Sequence, residues 1–234
     1  MQVLGVIPAR GGSKGVPNKN LREVAGRPLL AYTVEAARAS RRLMRTVLST
    51  DDPAIAAAGR AFGVDVPFMR PPELAADSSP MLPVLQHATR EMAAGGFAAD
   101  AVVLLQPTSP LRRAEHIDAA IEMLETTGAD AVVSVIDVPH HFNPASVLRL
   151  EGDRLRPFLD GPLVLRRQDK PRVYARNGPA VLAVRVSQLD RGDLYGGDTR
   201  ALLMAAEDSL DIDGLWDLEL LEFILSRRTL PHAG

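Results

Sequence analysis

Cysteine is absent from the 234 residues. That excludes a disulfide framework, thiolate zinc sites and thiol nucleophiles, and it suits a reducing compartment. Net charge is almost absent as well: 27 Lys and Arg against 29 Asp and Glu leave −2. The chain therefore lacks the broad electrostatic attraction that nucleic-acid and anionic-membrane binders use. No apolar run reaches the ~20 residues that span a bilayer. No basic stretch precedes an apolar one at the start, so no signal peptide is expected. What remains is a soluble, cytoplasmic globular protein. Its length suits one large domain or one domain with a modest insertion, with a core formed by burying about 70–75% of the unfolded surface.

Strand-like and helix-like segments alternate along the first 138 residues. Residues 3–7, 45–49, 101–105 and 131–138 are short apolar runs of strand length, and 101–105 is the clearest buried strand. Between them, 29–39, 53–62, 81–92 and 114–125 read as helices, with Pro28 opening the first and Asp51 or Asp52 capping the second. In 114–125, Ile117, Ile121 and Leu124 share one face. Such alternation predicts the α/β class, with a mostly parallel sheet covered on both faces and any ligand site along one edge. The rhythm breaks over 139–179, which holds six prolines and a hairpin pattern at 147–150 and 155–158. This stretch is read as a small subdomain inserted in a single domain spanning 1–234. Residues 180–185 and 215–226 then resume the α/β pattern, and His232-Ala233-Gly234 is expected to fray.

The first strand runs straight into Arg10-Gly11-Gly12-Ser13-Lys14-Gly15-Val16-Pro17-Asn18-Lys19-Asn20. Three glycines, a serine and three cations suit a polyphosphate, because glycine lets backbone N–H groups approach oxygen while Arg10 and Lys14 bring charge. The segment matches neither the P-loop nor the dinucleotide fingerprint, and a solvated turn is the plain alternative. Gln106-Pro107-Thr108-Ser109-Pro110 follows the buried strand, so Gln106, Thr108 and Ser109 emerge at the same edge as substrate contacts; a turn with Ser109 as a cap is the alternative. Asp211 and Asp213 flank Ile212. In an extended segment both carboxylates face one side and suit Mg²⁺, whereas a pair of helix caps before Gly214 is the other reading.

Taken together, Ile7-Pro8-Ala9-Arg10-Gly11-Gly12-Ser13-Lys14-Gly15 with Lys19-Asn20-Leu21 resembles the nucleotide-binding signature of the acylneuraminate cytidylyltransferases. These are the CMP-sialic acid synthetases and their bacterial relatives for other nonulosonic acids. Leu48-Ser49-Thr50-Asp51, the run from Arg70-Pro71-Pro72 to Asp77, Leu105 to Arg112 and Ser209-Leu210-Asp211-Ile212-Asp213 follow in family order. The resemblance covers roughly 2–226.

It implies a three-layer α/β/α Rossmann-like nucleotidyltransferase fold, with 139–179 as a dimerisation subdomain and the protein a homodimer. It also implies a reaction in which the anomeric hydroxyl of an acidic 2-keto sugar attacks the α-phosphate of CTP and pyrophosphate leaves. Arg10 and Lys14 would hold the triphosphate, with Asp211 the third catalytic group. Ala9, Gly11, Gly12, Ser13, Asn20, Arg70 and Asp77 would complete the nucleotide site, and Asp211 and Asp213 would bind Mg²⁺. Arg167 matches the arginine that reaches the sugar carboxylate, often across a dimer; on composition alone it is a solvated basic rim.

Two departures fall on the acid's side of the site. Pro179-Ala180-Val181 follows Asn177-Gly178 where many sialic acid enzymes have a Tyr, and no Lys follows His140-His141. Another acid, such as 3-deoxy-manno-octulosonate, is thus an alternative substrate. Asp211-Ile212-Asp213 is also the Asp-x-Asp pattern of nucleotide-sugar glycosyltransferases, and a non-catalytic nucleotide-binding module is the third reading.

Overall fold

The computed structural model describes residues 1–13, 15–160, 164 and 166–229; Lys14 and the expected frayed end His232-Ala233-Gly234 lie outside them. The elements in chain order are β1 (Val3–Pro8), β2 (Glu23–Val24), β3 (Arg27–Pro28), α1 (Leu29–Ala39), β4 (Arg45–Ser49) and α2 (Pro53–Ala61). Next come α3 (Met81–Ala94), β5 (Ala101–Leu104), α4 (Ala114–Thr127) and β6 (Ala131–Asp137). The hairpin strands β7 (Leu148–Glu151) and β8 (Arg154–Pro157) precede β9 (Tyr174–Arg176), β10 (Leu182–Arg185), α5 (Val186–Asp190), β11 (Thr199–Leu203) and α6 (Leu215–Thr229).

A seven-stranded sheet forms the middle layer in the order β11-β6-β10-β5-β1-β4, with β9 also pairing with β6. β1 runs parallel to β4 and β5, and β11 runs parallel to β6. β10 enters antiparallel between β5 and β6, and β9 lies antiparallel to β6. The expected mostly parallel α/β sheet is present, with these two strands reversed.

Period-two side-chain alternation produces the layers. Val3 and Ile7 of β1 point into one core with Leu30 and Val34 of α1, Ile55 of α2 and Ile117, Ile121 and Leu124 of α4. Leu4 and Val6 point the other way, into a second core with Leu85, Ala88 and Met92 of α3 and Leu189 of α5. A smaller third core joins Val16 of the glycine loop to Leu111, Ile212 and, on α6, Leu218 and Leu221. It is this cluster that brings the C-terminal segment to the loop after β1.

Local chemistry sets several element ends. Asp52, not Asp51, caps α2, accepting from the Ala54 and Ile55 N–H groups at 2.7 and 3.2 Å, and Pro53 supplies the first helical residue. The stretch 139–179 is only partly separate. Its hairpin β7–β8 is almost wholly exposed, with Leu150 69% and Leu155 64% accessible, but β9 inside it rejoins the sheet on β6. No helix among the described residues is long and apolar enough to cross a membrane.

This division of burial has a measurable consequence. Leu30 is fully buried, so Leu30→Ala is expected to lower the unfolding free energy by about 2–5 kcal/mol in chemical denaturation. Leu150→Ala on the exposed hairpin is expected to change it by less than about 0.5 kcal/mol; equal losses would contradict the packing described.

Candidate active site

The parallel strands β1, β4 and β5 end at one edge of the sheet, and β10 begins there, so the loops after Pro8, Ser49 and Leu104 and the segment before Leu182 converge. A cavity of about 250 Å³ opens between them, with Arg10, Ser13, Asn20, Arg70, Asp77 and Gln106 in its wall. Thr108 lines it too, and Leu74, Met81 and Val84 give it an apolar side. A second groove, with Gly11 and Gly12 in its wall, shares Arg10 and Asp77 with the first.

The glycine loop is held by neighbouring segments as well as by hydrogen bonds of its own. Ala9 is buried behind it, with its N–H on the Ser49 carbonyl at 3.0 Å. Asp51 accepts the Gly11 N–H at 3.0 Å, and Asn20, itself buried, donates to the Arg10 carbonyl at 3.0 Å. Gly12 has φ +64°, a left-handed conformation that a side chain resists. At Gly15 a Cβ would stand 2.6 Å from the Asp213 carbonyl oxygen, so only glycine lets the loop touch the acidic segment. Lys19 strengthens that contact by donating from Nζ to the Ile212 carbonyl at 2.6 Å.

Arg10 and Arg70, with Lys19, give the cavity its positive charge. Arg10 pairs with Asp77 and donates to the Gly11 and Gly12 carbonyls at 3.2 Å each. Arg70 is buried against Ser49, donating to its hydroxyl at 3.1 Å and to its carbonyl. Burial pushes its guanidinium down to about 10, Arg10 adds to the fall and Asp51 opposes it; the group stays charged at neutral pH.

The acidic segment faces the Gln106 turn. Ile212 is fully buried and donates its N–H to the Thr108 carbonyl at 2.8 Å. The half-buried Asp211 holds one carboxylate oxygen, Oδ1, buried without a partner. Burial pushes the Asp211 carboxyl above the usual aspartate range; Asp213 and Asp217 add to the rise, while Thr108 and Lys19 oppose it. Neither Asp211 nor Asp213 caps a helix. Asp217, inside the first turn of α6, accepts from the Asp213 and Gly214 N–H groups ahead of the helix at 2.9 and 2.8 Å. An orphaned carboxylate oxygen beside a second carboxylate suits a hard divalent cation, which favours oxygen ligands. Among the described residues there is no cluster of three or more acidic or histidine side chains that could hold one unaided, so phosphate oxygens would have to complete the shell.

Of the residues expected in the site, Ala9, Ser109, Arg167, Asp211 and Asp213 do not line the cavity, and Gly11 and Gly12 line only the second groove. Ser109 is fully buried, its hydroxyl without a partner, and Gly178 passes so close that a Cβ would stand 3.1 Å from that oxygen. It caps no helix, since α4 begins at Ala114 after Arg113. Arg167 lies in a short turn of the inserted stretch, its charge beside His140, and does not line the cavity. Lys14 falls outside the described residues. Conversely, Lys19, Met81 and Val84 line the cavity without having been singled out as site residues. The apolar spacing of Met81, Val84, Leu85 and Ala88 marks a helix face, but does not say which end of it meets a ligand.

Comparison with known proteins agrees with this geometry. The cytidylyltransferase family model matches residues 4–178. The chain is 34% identical over 226 residues to a CMP-N,N'-diacetyllegionaminic acid synthase of Legionella pneumophila, covering 96% of this chain and 97% of the relative. It is 32% identical over 220 residues to an N-acylneuraminate cytidylyltransferase of Escherichia coli, covering 94% of this chain but spanning about half (51%) of that relative. In fold it is similar to a CMP:2-keto-3-deoxy-manno-octonic acid synthetase complexed with CTP, with a TM-score of 0.74 at 20% identity over 97% of this chain and 100% of that one. The chain belongs to the cytidylyltransferase family, and is thus a nucleotidyltransferase.

The strained charge of Asp211 predicts a stability signature. A carboxyl whose folded value is raised above its unfolded one weakens the fold when ionised, so native stability increases as pH falls through the folded value and the deficit is gone below the unfolded one. Asp211→Asn removes the ionisation. Without divalent cations, its melting temperature is expected to exceed that of the native chain at pH 7 and to lose that advantage near pH 4. A variant less stable at pH 7 would show that the carboxylate is well paired.

Proposed function

We propose that this cytidylyltransferase transfers CMP from CTP to the anomeric hydroxyl of an acidic 2-keto sugar of the nonulosonic class. The observation that carries the reading is that the glycine loop and the Gln106–Thr108 turn line one cavity, with the Asp211–Asp213 segment tied to both through the Lys19–Ile212 and Ile212–Thr108 hydrogen bonds. The legionaminic acid synthase, similar over nearly its whole length, supports the choice of acid.

In this reading the apolar side at Met81 and Val84 packs the cytosine, and the buried Arg70 and Asn20 fix the nucleoside. Arg10, Lys14 and the N–H groups of the glycine loop receive the triphosphate. Arg10 then exchanges Asp77 for phosphate oxygens. Phosphoryl transfer asks mainly for alignment and charge neutralisation: the hydroxyl loses its proton to solvent as its oxygen bonds to the α-phosphorus, the bond to the β-phosphate oxygen breaks, and pyrophosphate carries away that electron pair. Gln106, held by its Nε2 bond to the Gly178 carbonyl at 3.0 Å, is placed to orient the sugar. Asp211 and Asp213 would hold Mg²⁺, which when bound supplies positive charge to the phosphate oxygens.

We also read the protein as a cytoplasmic homodimer joined through 139–179. Leu148, Leu150, Leu155 and Phe158 expose apolar surface there, and Arg167, which does not line its own chain's cavity, is read as reaching an acid's carboxylate in a partner's.

Pyrophosphate release with CTP and a panel of 2-keto acidic sugars tests the reaction. Release is expected with a nonulosonic acid and Mg²⁺. It should fall about 100-fold or more in Lys14→Ala, and Asp211→Asn should raise the Mg²⁺ needed for half-activity. Release only with 3-deoxy-manno-octulosonate would move the assignment to that acid, and cleavage only of a preformed nucleotide-sugar would favour a glycosyltransferase. For the dimer, mixing inactive Lys14→Ala and Arg167→Ala chains is expected to restore part of the activity. No recovery in verified heterodimers would place Arg167 in its own chain's site.

A further inference from the structure

Arg112 lies behind the cavity and takes no part in the reaction as read. It is 3% exposed. From Nη1 it donates to the backbone carbonyls of Gln106 (3.1 Å) and Ala180 (2.8 Å), and from Nη2 to the Thr33 hydroxyl (2.7 Å), while Nε is buried without a partner. All three acceptors are neutral. Burial alone shifts the guanidinium, down to about 9, so it remains charged at neutral pH. Among the described residues no carboxylate is paired with it.

A buried charge without a counter-ion is costly, and replacing it by an apolar side chain is often neutral or favourable. The position of this charge supplies a reason to keep it. The Gln106 carbonyl that it grips belongs to the residue whose side chain lines the cavity, and Pro107 and Thr108 continue that wall. The Ala180 carbonyl belongs to the loop whose Gly178 carbonyl receives the Gln106 side chain. The guanidinium therefore sits one residue behind the wall, in a medium where Coulomb attraction is stronger than in water. A nucleoside triphosphate brings several negative charges to the other side of that wall.

We propose that Arg112 is a positioning residue for the anionic substrate: it fastens the Gln106–Thr108 wall and supplies a fixed positive charge that is balanced when the nucleotide triphosphate binds. This rests on the reading of the cavity as a CTP site. Arg10 and Lys19 are part-exposed, so their attraction for the same anion is screened by salt; that of Arg112, being buried, is screened much less.

The test is calorimetric titration of CTP into the native chain, Arg112→Lys and Arg112→Gln at about 50 mM and about 500 mM NaCl. The glutamine keeps hydrogen-bond donors for the carbonyls without the charge, and the lysine keeps the charge with a poorer fork. The expected result is CTP binding about 10-fold or more weaker for Arg112→Gln at both salt concentrations, with Arg112→Lys within about 3-fold of native. Arg112→Gln binding as well as native, a loss that vanishes at high salt, or Arg112→Lys as weak as Arg112→Gln would each overturn the proposal. Should Arg112→Gln fail to fold, Thr33→Val decides, since it removes one acceptor and leaves the charge: near-native CTP binding supports the role of the charge, and a 10-fold loss overturns it. A native chain that does not bind CTP overturns the functional reading as well, which separates the two failures.

Discussion

The site depends on a junction between two segments far apart in the chain. Lys19 and Ile212, 193 residues distant, are joined by one hydrogen bond. Around it, Val16 and Ile212 share a small apolar core with α6, and Gly15 passes the Asp213 carbonyl where no side chain fits. Burying Ile212 between two aspartates ties the position of both carboxylates to apolar packing. The glycine loop, which lacks a regular structure of its own, gains its shape from the same contact.

The charged groups of the site are incompletely paired. Arg70 and Arg112 are buried with their guanidinium groups on backbone carbonyls and hydroxyls, and Arg10 is held by Asp77. Opposite them Asp211 keeps an unpartnered oxygen and a carboxyl that burial makes harder to ionise. A buried charge without a counter-ion lowers stability; in the proposed function a polyphosphate with a divalent cation would satisfy both kinds of group at once.

Much of the architecture was legible in the sequence because its strands are buried on both faces and its helices on one. The expected bounds of α1 and β4 coincide with those observed, and β1, α2, α3, β5, α4 and β6 differ only at their ends. The signal failed where burial is slight. β9 is exposed along its length, β11 buries only Leu202, and α5 is five residues long, so none carries a readable period. The reversed direction of β10 leaves no mark either, because an apolar run reads the same both ways. In the site, the loop Arg10–Asn20 and the Asp211-Ile212-Asp213 segment were recognisable by residue type. Ser109 and Arg112 were not, since a polar residue in a turn does not reveal whether it faces a ligand or the interior.

By itself, the sequence determined the α/β class, the family and the residue types proposed to meet a nucleotide, because these follow from local periodicity and from short motifs. Only the tertiary structure decided which of those residues share a cavity. It turned Ser109 inward, kept Arg167 on the inserted stretch, brought Lys19 to the acidic segment and set an uncompensated arginine behind the wall. Those outcomes rest on packing between segments distant in the chain, and on whether burial leaves a charge with a partner, neither of which a local pattern encodes.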